Sequence, residues 1–263
     1  MMKKISKILL YIYIILLILG GIDIIFTSFR QNYPYPNLIK ANYSLRSYSY
    51  LLKEMKLRTG TINSFIIGIG SSVFSQILAY PIAKKIYDKD KNYKAINFLV
   101  FLPFLIAATT IGLGLQTFLL SIGIKNSKIV IGLVQSIYII PYCVRIIKPG
   151  FGFLSENILS SAYMLGASHK DVIKNIVLPI MAPFIKTAFI MGFIISVSQY
   201  YITLVLGSGL VDTFITVAFP FFASRDRAIS SALIILFLLI NILLILFVEL
   251  IFRQIFRRKK WKI

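Results

Sequence analysis

The chain has 263 residues, of which 58% are hydrophobic and 14% are charged, and its mean hydropathy is +0.83. A soluble domain of this length has too little interior to bury so much apolar surface, so the composition excludes an ordinary water-soluble protein. The net charge of +20 is also typical of nucleic-acid-binding proteins. Here the basic residues flank apolar segments, where they set topology and meet anionic headgroups. We therefore expect membrane lipid as a partner and no nucleic acid.

Six apolar segments are long enough to cross a bilayer, which requires about 20 residues per helix. The sequence therefore predicts an all-α, polytopic membrane protein that forms one transmembrane domain over residues 1–263. The first segment follows three lysines, as a secretory signal does, but its apolar run is too long for one, so we expect a retained anchor. The predicted spans are Ile8–Phe29, Ile62–Ala83, Ile96–Leu119, Ile129–Ile147, Pro183–Gly207 and Ile229–Ile251.

The distribution of Lys and Arg predicts the orientation. If the N-terminus is cytoplasmic, 19 of the 29 basic residues lie on the cytoplasmic side, Lys170, Lys174 and Lys186 among them. We therefore expect both termini in the cytoplasm. The first outer loop is rich in tyrosine, which suits either the headgroup layer or a partner surface. These tyrosines and the prolines between them are Tyr33, Pro34, Tyr35, Pro36, Tyr43, Tyr48 and Tyr50.

The residue inventory argues against catalysis by this chain. His169 is the only histidine and Cys143 the only cysteine, so a His-rich metal site and an intramolecular disulfide are both excluded. No Gly-Lys dipeptide occurs, so the chain lacks the loop that cradles nucleotide phosphates. We expect no catalytic residue, no metal and no cofactor.

Residues 155–179 lie between the fourth and fifth spans and predict a helical hairpin on the cytoplasmic side. Ser155 is a suitable N-cap for a first helix, whose apolar positions Ile158, Ala162 and Leu165 recur at helical spacing. Gly166 can supply the left-handed residue that ends this helix.

A second helix is predicted directly after the bend. Ser168, followed three residues later by Asp171, forms a capping box, and Pro179 is expected to close the helix. A rigid bend of this kind can sit in a groove of a partner and pass its displacement to the flanking spans. The alternative is an amphipathic pair that lies on the membrane surface without a partner.

The hairpin resembles the signature of the permease subunits of ABC-type importers. That signature runs Glu-Ala-Ala, three residues, Gly, nine residues, Ile, one residue, Leu-Pro. The residues that match it are Ala162, Gly166, Ile176, Leu178 and Pro179.

Flanking residues extend the likeness from about residue 63 to residue 252. They are Asn63-Ser64, Pro141-Tyr142 with Arg145, Gln199-Tyr200 ahead of a Leu-Gly-Ser-Gly turn, and Val211-Asp212-Thr213. The last part is most similar to permeases of the polyamine, thiamine and ferric-iron type.

The resemblance implies a transport subunit in the plasma (inner) membrane of a prokaryote. Its partners would be separate ABC ATPase subunits, a second permease subunit that is expected to be a different chain, and an extracytoplasmic solute-binding protein. The residues implied to couple to the ATPase are Glu156, Ser160, Ser161, Ala162, Leu165, Gly166, Ala167, Ser168 and Pro179.

One departure from the signature bears on docking. Ser160 stands where the family usually has Glu, and Ser161 stands at the first Ala. Glu156 lies four residues earlier on the same helical face and could partly replace the missing carboxylate. We therefore expect this chain to be the weaker-docking half of an unlike pair.

Polar residues within the spans are candidates for the solute pathway, because they are costly in lipid unless they face a cavity or another helix. The alternative is helix packing, and the small residues Gly68, Ser72 and Ser75 predict such a close contact. The pathway candidates are Gln76, Gln135, Ser136, Ser196, Ser198 and Gln199.

An alternative function is a secondary transporter driven by an ion gradient. It predicts transport by the purified chain alone and a charged pair at mid-membrane. Asp23 and Glu249 are the acidic residues within the predicted spans, and both lie near span ends. A membrane-embedded enzyme would need an acid/base or metal cluster, against which the scarcity of His, Cys and carboxylates argues.

Overall fold

The computed structural model describes residues 2–31, 42–124, 127–224 and 226–257, without the side chains of residues 2–6, 8, 156 and 255–257. Within these ranges the secondary structure is helical, apart from one isolated antiparallel bridge between Arg30 and Tyr43. The α-helices are α1 Met2–Ser28, α2 Arg46–Lys53, α3 Met55–Tyr87, α4 Tyr93–Phe101, α5 Ala108–Ser121, α6 Lys128–Phe151, α7 Glu156–Met164, α8 His169–Val172, α9 Leu178–Ser198, α10 Tyr200–Gly207, α11 Phe214–Phe222 and α12 Arg227–Arg257.

The predicted all-α, polytopic membrane fold is confirmed. In the described part of the chain, five helices are long and apolar enough to cross a bilayer, and a bent pair makes a sixth span if it is counted as one. The five are Leu9–Ser28, Met55–Tyr87, Lys128–Phe151, His169–Ser198 and Arg227–Gln254.

The third predicted span, Ile96–Leu119, is broken near its middle. A 3-10 turn, Leu102–Leu105, follows α4, and Ile106 and Ala107 are extended before α5 begins, so the two halves meet at 97°. Pro103 has no N–H with which to continue the α4 ladder. Tyr138 of α6 donates its hydroxyl to the carbonyl of Ile106 at 3.3 Å, which satisfies one backbone group at the break.

The prediction that Pro179 closes a short helix was wrong. α8, a π-helical turn at Ile173–Val177 and α9 run as one continuous helix, His169–Ser198. The wide π turn lies immediately before Pro179, where the chain has no N–H for a normal helical hydrogen bond. The second arm of the hairpin is therefore the first part of the fifth span.

The fifth span also ends earlier than predicted. Its helix stops at Ser198, because Gln199 leaves the helical region (φ −77°, ψ 89°), and α10 then begins at Tyr200. Residues up to Gly207 belong to this second, short helix.

The core is built from α3, α6 and α9, which pack against one another. A Cβ added at Gly68 would lie 2.8 Å from the ring of Phe193, so α3 and α9 approach too closely for any larger residue there. Ser72 and Ser75 are fully buried on the same helix. The predicted close contact through Gly68, Ser72 and Ser75 is therefore confirmed.

The first helix lies at the periphery. α1 packs against α12, and its large apolar side chains from Leu9 to Leu19 are all exposed. Tyr48 of α2 donates its hydroxyl to Ser28 Oγ at 2.9 Å. The residues Tyr33 to Pro36 of the tyrosine-rich loop and the basic residues 258–262 lie outside the described residues, so the alternatives for that loop stay open.

Candidate coupling hairpin and polar sites

The first arm of the hairpin is α7. Ser155 occupies the predicted N-cap position with an extended backbone (φ −63°, ψ 143°), although its side chain makes no capping hydrogen bond. Ser160 is exposed, and its hydroxyl donates to the carbonyl of Asn157 at 3.2 Å. Glu156 begins the helix four residues earlier, but its side chain lies outside the described part, so its replacement of the missing Glu stays a prediction.

The bend is a Schellman motif, as the position of Gly166 predicted. Gly166 has φ +82°, in the left-handed region that favours glycine. The N–H of Ala167 donates to the carbonyl of Ala162 at 3.1 Å, and the N–H of Gly166 donates to that of Tyr163 at 3.0 Å. A Cβ at Gly166 would meet nothing within 4 Å, so the backbone conformation alone requires glycine.

The second arm begins with the predicted Ser168 cap. Ser168 Oγ accepts from the N–H of Asp171 at 3.3 Å and donates to the Asp171 carboxylate at 2.6 Å. In a capping box the carboxylate would accept the N–H of Ser168 instead. The predicted Ser168 N-cap is therefore present, but the Asp171 carboxylate accepts from the Ser168 hydroxyl instead of from its backbone N–H.

A contact that sequence reasoning missed joins the two arms. Tyr163 Oη lies 2.8 Å from His169 Nδ1, and the two rings are nearly parallel, with 7° between their planes. The residues are six apart across a glycine bend, which brings them together once the Schellman motif is formed. This contact links the end of α7 to the start of the long helix.

The tip of the hairpin is apolar and uncovered. Met164 and Leu165 are each 88% exposed, and Tyr163 and Ile158 are exposed to a lesser degree. Exposed apolar clusters of this kind mark interaction surfaces. Of the other predicted coupling residues, Ser161 and Ser168 are exposed, and Ala162, Ala167 and Pro179 are half-buried.

Two of the predicted pathway residues form a buried network. Gln135 Nε2 donates to Thr203 Oγ1 at 2.9 Å, and Ser196 Oγ donates to Gln135 Oε1. Thr203 Oγ1 in turn donates to the carbonyl of Gln199 at 2.6 Å. The network therefore ties the end of α9 to α10 across the break at Gln199. Thr203 was not among the residues predicted from the sequence.

The remaining candidates are dispersed. Ser136 is buried and donates to the carbonyl of Gly132 at 2.7 Å, while Gln76 Nε2 donates to the carbonyl of Ile185 at 3.1 Å. Ser198 is exposed and Gln199 is half-buried. Ser198 and Gln199 thus reach the surface of the protomer, and a pathway role for any of the six stays a prediction.

Two segments that carried the family likeness contact each other. Asn63 Nδ2 donates to the carbonyl of Asp212 at 2.8 Å, and Ser64 Oγ accepts from the N–H of Phe214 at 2.8 Å. A Cβ at Gly60 would lie 2.9 Å from the backbone of Thr213. The start of α3 therefore anchors the loop that leads into α11.

An ion pair that the sequence did not predict links α9 and α12. Lys186 Nζ lies 2.6 Å from Glu249 Oε2, and Arg253 Nε lies 3.0 Å from Glu249 Oε1. Lys186 lies on α9, within the helix His169–Ser198, and its expected cytoplasmic position stays a prediction. Among the described residues, no group of three or more His, Cys, Asp or Glu could hold a metal ion.

Long apolar helices, a three-helix core and an exposed hairpin between α6 and α9 define a multi-pass membrane protein. Residues 93–257, more than half of the chain, match the family described as the binding-protein-dependent transport system inner membrane component. The chain belongs to this family, and it is a permease component embedded in the membrane.

A relative supports the same class. Over 133 residues the chain is 25% identical to the inner membrane ABC transporter permease protein YnjC of Escherichia coli (strain K12). The aligned stretch covers 51% of this chain and 26% of that protein, so the match spans about a quarter of the relative's length. The narrower likeness to polyamine, thiamine and ferric-iron permeases stays a prediction.

Proposed function

We propose that this chain is the permease subunit of an ATP-driven importer, and that separate ATPase subunits drive it through the hairpin 155–179. It forms the solute pathway with a second, different permease chain and receives solute from an extracytoplasmic binding protein. The observation that carries the proposal is the uncovered apolar tip, Met164 and Leu165, which lies across the Gly166 bend from the helix His169–Ser198, a helix long and apolar enough to span a membrane.

The continuity of this helix suits mechanical coupling. His169–Ser198 has 30 residues and is therefore about 45 Å long. A displacement of the tip by the ATPase is passed to the fifth span, since the Schellman motif at Gly166 and the Tyr163–His169 contact join α7 to the long helix. The free energy comes from ATP, which must bind the closed ATPase dimer better than the open one.

Crosslinking from the tip tests the proposal. We expect Leu165→Cys, made in a Cys143→Ala background, to crosslink to the ATPase encoded by a neighbouring gene. The matched control is Leu210→Cys, because Leu210 is also an exposed apolar residue at a turn, 80% exposed against 88% for Leu165. Leu210 follows α10 at the opposite membrane face, so Leu210→Cys should give no ATPase crosslink.

The same two variants test the orientation. A membrane-impermeant thiol reagent added to intact cells should label Leu210→Cys and should label Leu165→Cys only after the membrane is opened. Labelling of Leu165→Cys in intact cells would contradict the cytoplasmic position of the hairpin. An ATPase crosslink from Leu210→Cys, with none from Leu165→Cys, would contradict the coupling role.

The Lys186–Glu249 pair favours a second candidate, a transporter driven by an ion gradient, because that function needs a charged pair inside the spans. However, the Glu249 carboxylate contacts two cations, which suits a structural link between helices better than a carrier of protons. Uptake by the purified chain in proteoliposomes without ATPase, abolished by Glu249→Gln, would establish this second candidate.

A further inference from the structure

A cavity of about 780 Å³ lies between α4 and the cytoplasmic end of α6. Three cationic side chains line it, Lys94 from α4 and Arg145 and Lys148 from α6, and no described lining residue is acidic. Within the described part of the chain, none of the three forms an ion pair. Three like charges around one cavity repel one another, so an anion that enters it is stabilised.

Beside these cations and the polar residues Tyr87 and Asn97, the cavity has an apolar wall formed by Phe98, Phe101, Leu105 and Val144. Leu105 follows Lys94 by eleven residues, about 16 Å along a helix. Phe98 and Leu105 are 61% and 76% exposed, so this end of the cavity opens toward lipid. The Arg145 guanidinium lies 5.5 Å from the centre of the Phe101 ring, at the junction of the cationic and apolar parts.

We propose that this cavity binds an anionic phospholipid of the cytoplasmic leaflet. The headgroup phosphate lies against Arg145, Lys94 and Lys148, since guanidinium and ammonium groups form charge-assisted hydrogen bonds with phosphate. One acyl chain lies along Phe98 and Leu105. A soluble anion would use the cations but would leave this apolar wall uncovered, so a lipid fits the lining better.

The bound lipid would act close to the coupling hairpin. α6 continues from Arg145 and Lys148 to Phe151, and the hairpin begins at Ser155. A lipid between α4 and α6 would therefore hold the broken third span against the helix from which the hairpin leaves. The inference rests on the proposed orientation, because anionic lipids act on basic residues mainly at the cytoplasmic leaflet.

Counting retained lipid tests the site. The full-length chain, with the subunits that co-purify, is incorporated into vesicles of equimolar phosphatidylcholine and phosphatidylglycerol and extracted in detergent, and the bound lipids are quantified. We expect roughly tenfold enrichment of phosphatidylglycerol in the unaltered protein and almost none in Lys94→Gln/Arg145→Gln/Lys148→Gln. The matched control is Lys84→Gln/Lys85→Gln/Lys91→Gln, which removes the same charge from exposed residues outside the cavity.

Equal enrichment in the cavity variant and the control variant would overturn the proposal, because basic residues would then attract phosphatidylglycerol wherever they lie on the protein surface. Competition with excess inorganic phosphate should leave the enrichment unchanged. If inorganic phosphate alone displaces the bound phosphatidylglycerol, the lipid proposal is wrong and the cavity binds a soluble anion.

Photocrosslinking from Phe98 gives a readout that keeps the three cations. With a benzophenone amino acid in place of Phe98, we expect an adduct with the mass of phosphatidylglycerol. An adduct with another protein chain would overturn the proposal and identify the cavity as a subunit interface. Failure of the Leu165→Cys crosslink would count against ATPase coupling without changing either lipid readout, so the two proposals fail separately.

Discussion

Gly166 is the residue whose backbone conformation sets the shape of the hairpin. Its φ of +82° costs an L-residue roughly 1–2 kcal/mol, whereas a side chain at this position meets no steric obstacle. We predict that Gly166→Ala and Gly166→Val weaken ATPase docking about tenfold, with Val worse because it is β-branched. Gly166→Asn, which tolerates the left-handed region, should retain most of the docking.

Docking is measured as co-purification of the ATPase with the permease variants at matched expression. Equal loss in the Ala, Val and Asn variants would show that the absence of a side chain at Gly166, rather than its backbone conformation, matters for docking.

Ser160 offers a gain-of-function prediction, because the family's usual Glu is missing there. The side chain is exposed and bonds only locally, to the carbonyl of Asn157, so Glu can be accommodated without disturbing α7. We predict that Ser160→Glu strengthens ATPase docking severalfold. Ser160→Gln should not, because Gln has the shape of Glu without its negative charge. If the affinity of Ser160→Glu for the ATPase is unchanged, this chain is not the weaker-docking half of the pair.

Gln135 lies at the centre of the buried network, so stability distinguishes packing from a pathway role. Replacing Gln135 by Leu removes the acceptor of the buried Ser196 hydroxyl, at about 1–3 kcal/mol, while Thr203 keeps its bond to the carbonyl of Gln199. We predict that Gln135→Leu lowers the Tm of the purified protein and leaves the KM for solute unchanged. A raised KM with an unchanged Tm would support the pathway assignment instead.

At the scale of elements, the sequence predicted the spanning helices but not their continuity, and it did not predict the short helices α2 and α11. Apolar length identified the segments of all the spans, because a bilayer imposes about 20 apolar residues on each crossing. Two prolines had opposite outcomes that local rules do not distinguish. Pro103 coincides with a 97° break, and Pro179 lies inside a continuous helix. The difference depends on tertiary partners and on the π turn before Pro179, which no spacing rule encodes.

The hairpin shows the same division between local and tertiary information. Ser155, Gly166 and Ser168 were placed correctly from the sequence, because caps and left-handed turns depend on a few neighbouring residues. The Tyr163–His169 contact and the Lys186–Glu249 pair depend on how helices are arranged in space, and they were missed. The residues of a bend are therefore easier to predict than the residues that hold it at a given angle.

The Lys186–Glu249 pair yields a prediction about how α9 and α12 are joined. Glu249→Met leaves Lys186 without its carboxylate partner, whereas Lys186→Met leaves Glu249 in contact with Arg253, and the double variant removes both charges of the pair. We therefore predict that Glu249→Met lowers the Tm more than Lys186→Met or the double variant does. Thermal denaturation of the four proteins completes the cycle, and a double variant that is as unstable as the sum of the single variants would show that the pair is not coupled.

At the scale of the whole molecule, packing rather than water exclusion holds the helices together, because lipid is as apolar as the side chains that face it. Phe193 is fully buried between α9 and Gly68 of α3, whereas Phe118 of α5 is 58% exposed. We predict that Phe193→Ala costs about 3 kcal/mol or more through the cavity it leaves. Phe118→Ala should cost at most about 0.5 kcal/mol, since lipid surrounds the side chain before and after unfolding. Comparable falls in the Tm of the two variants would contradict the three-helix core of α3, α6 and α9.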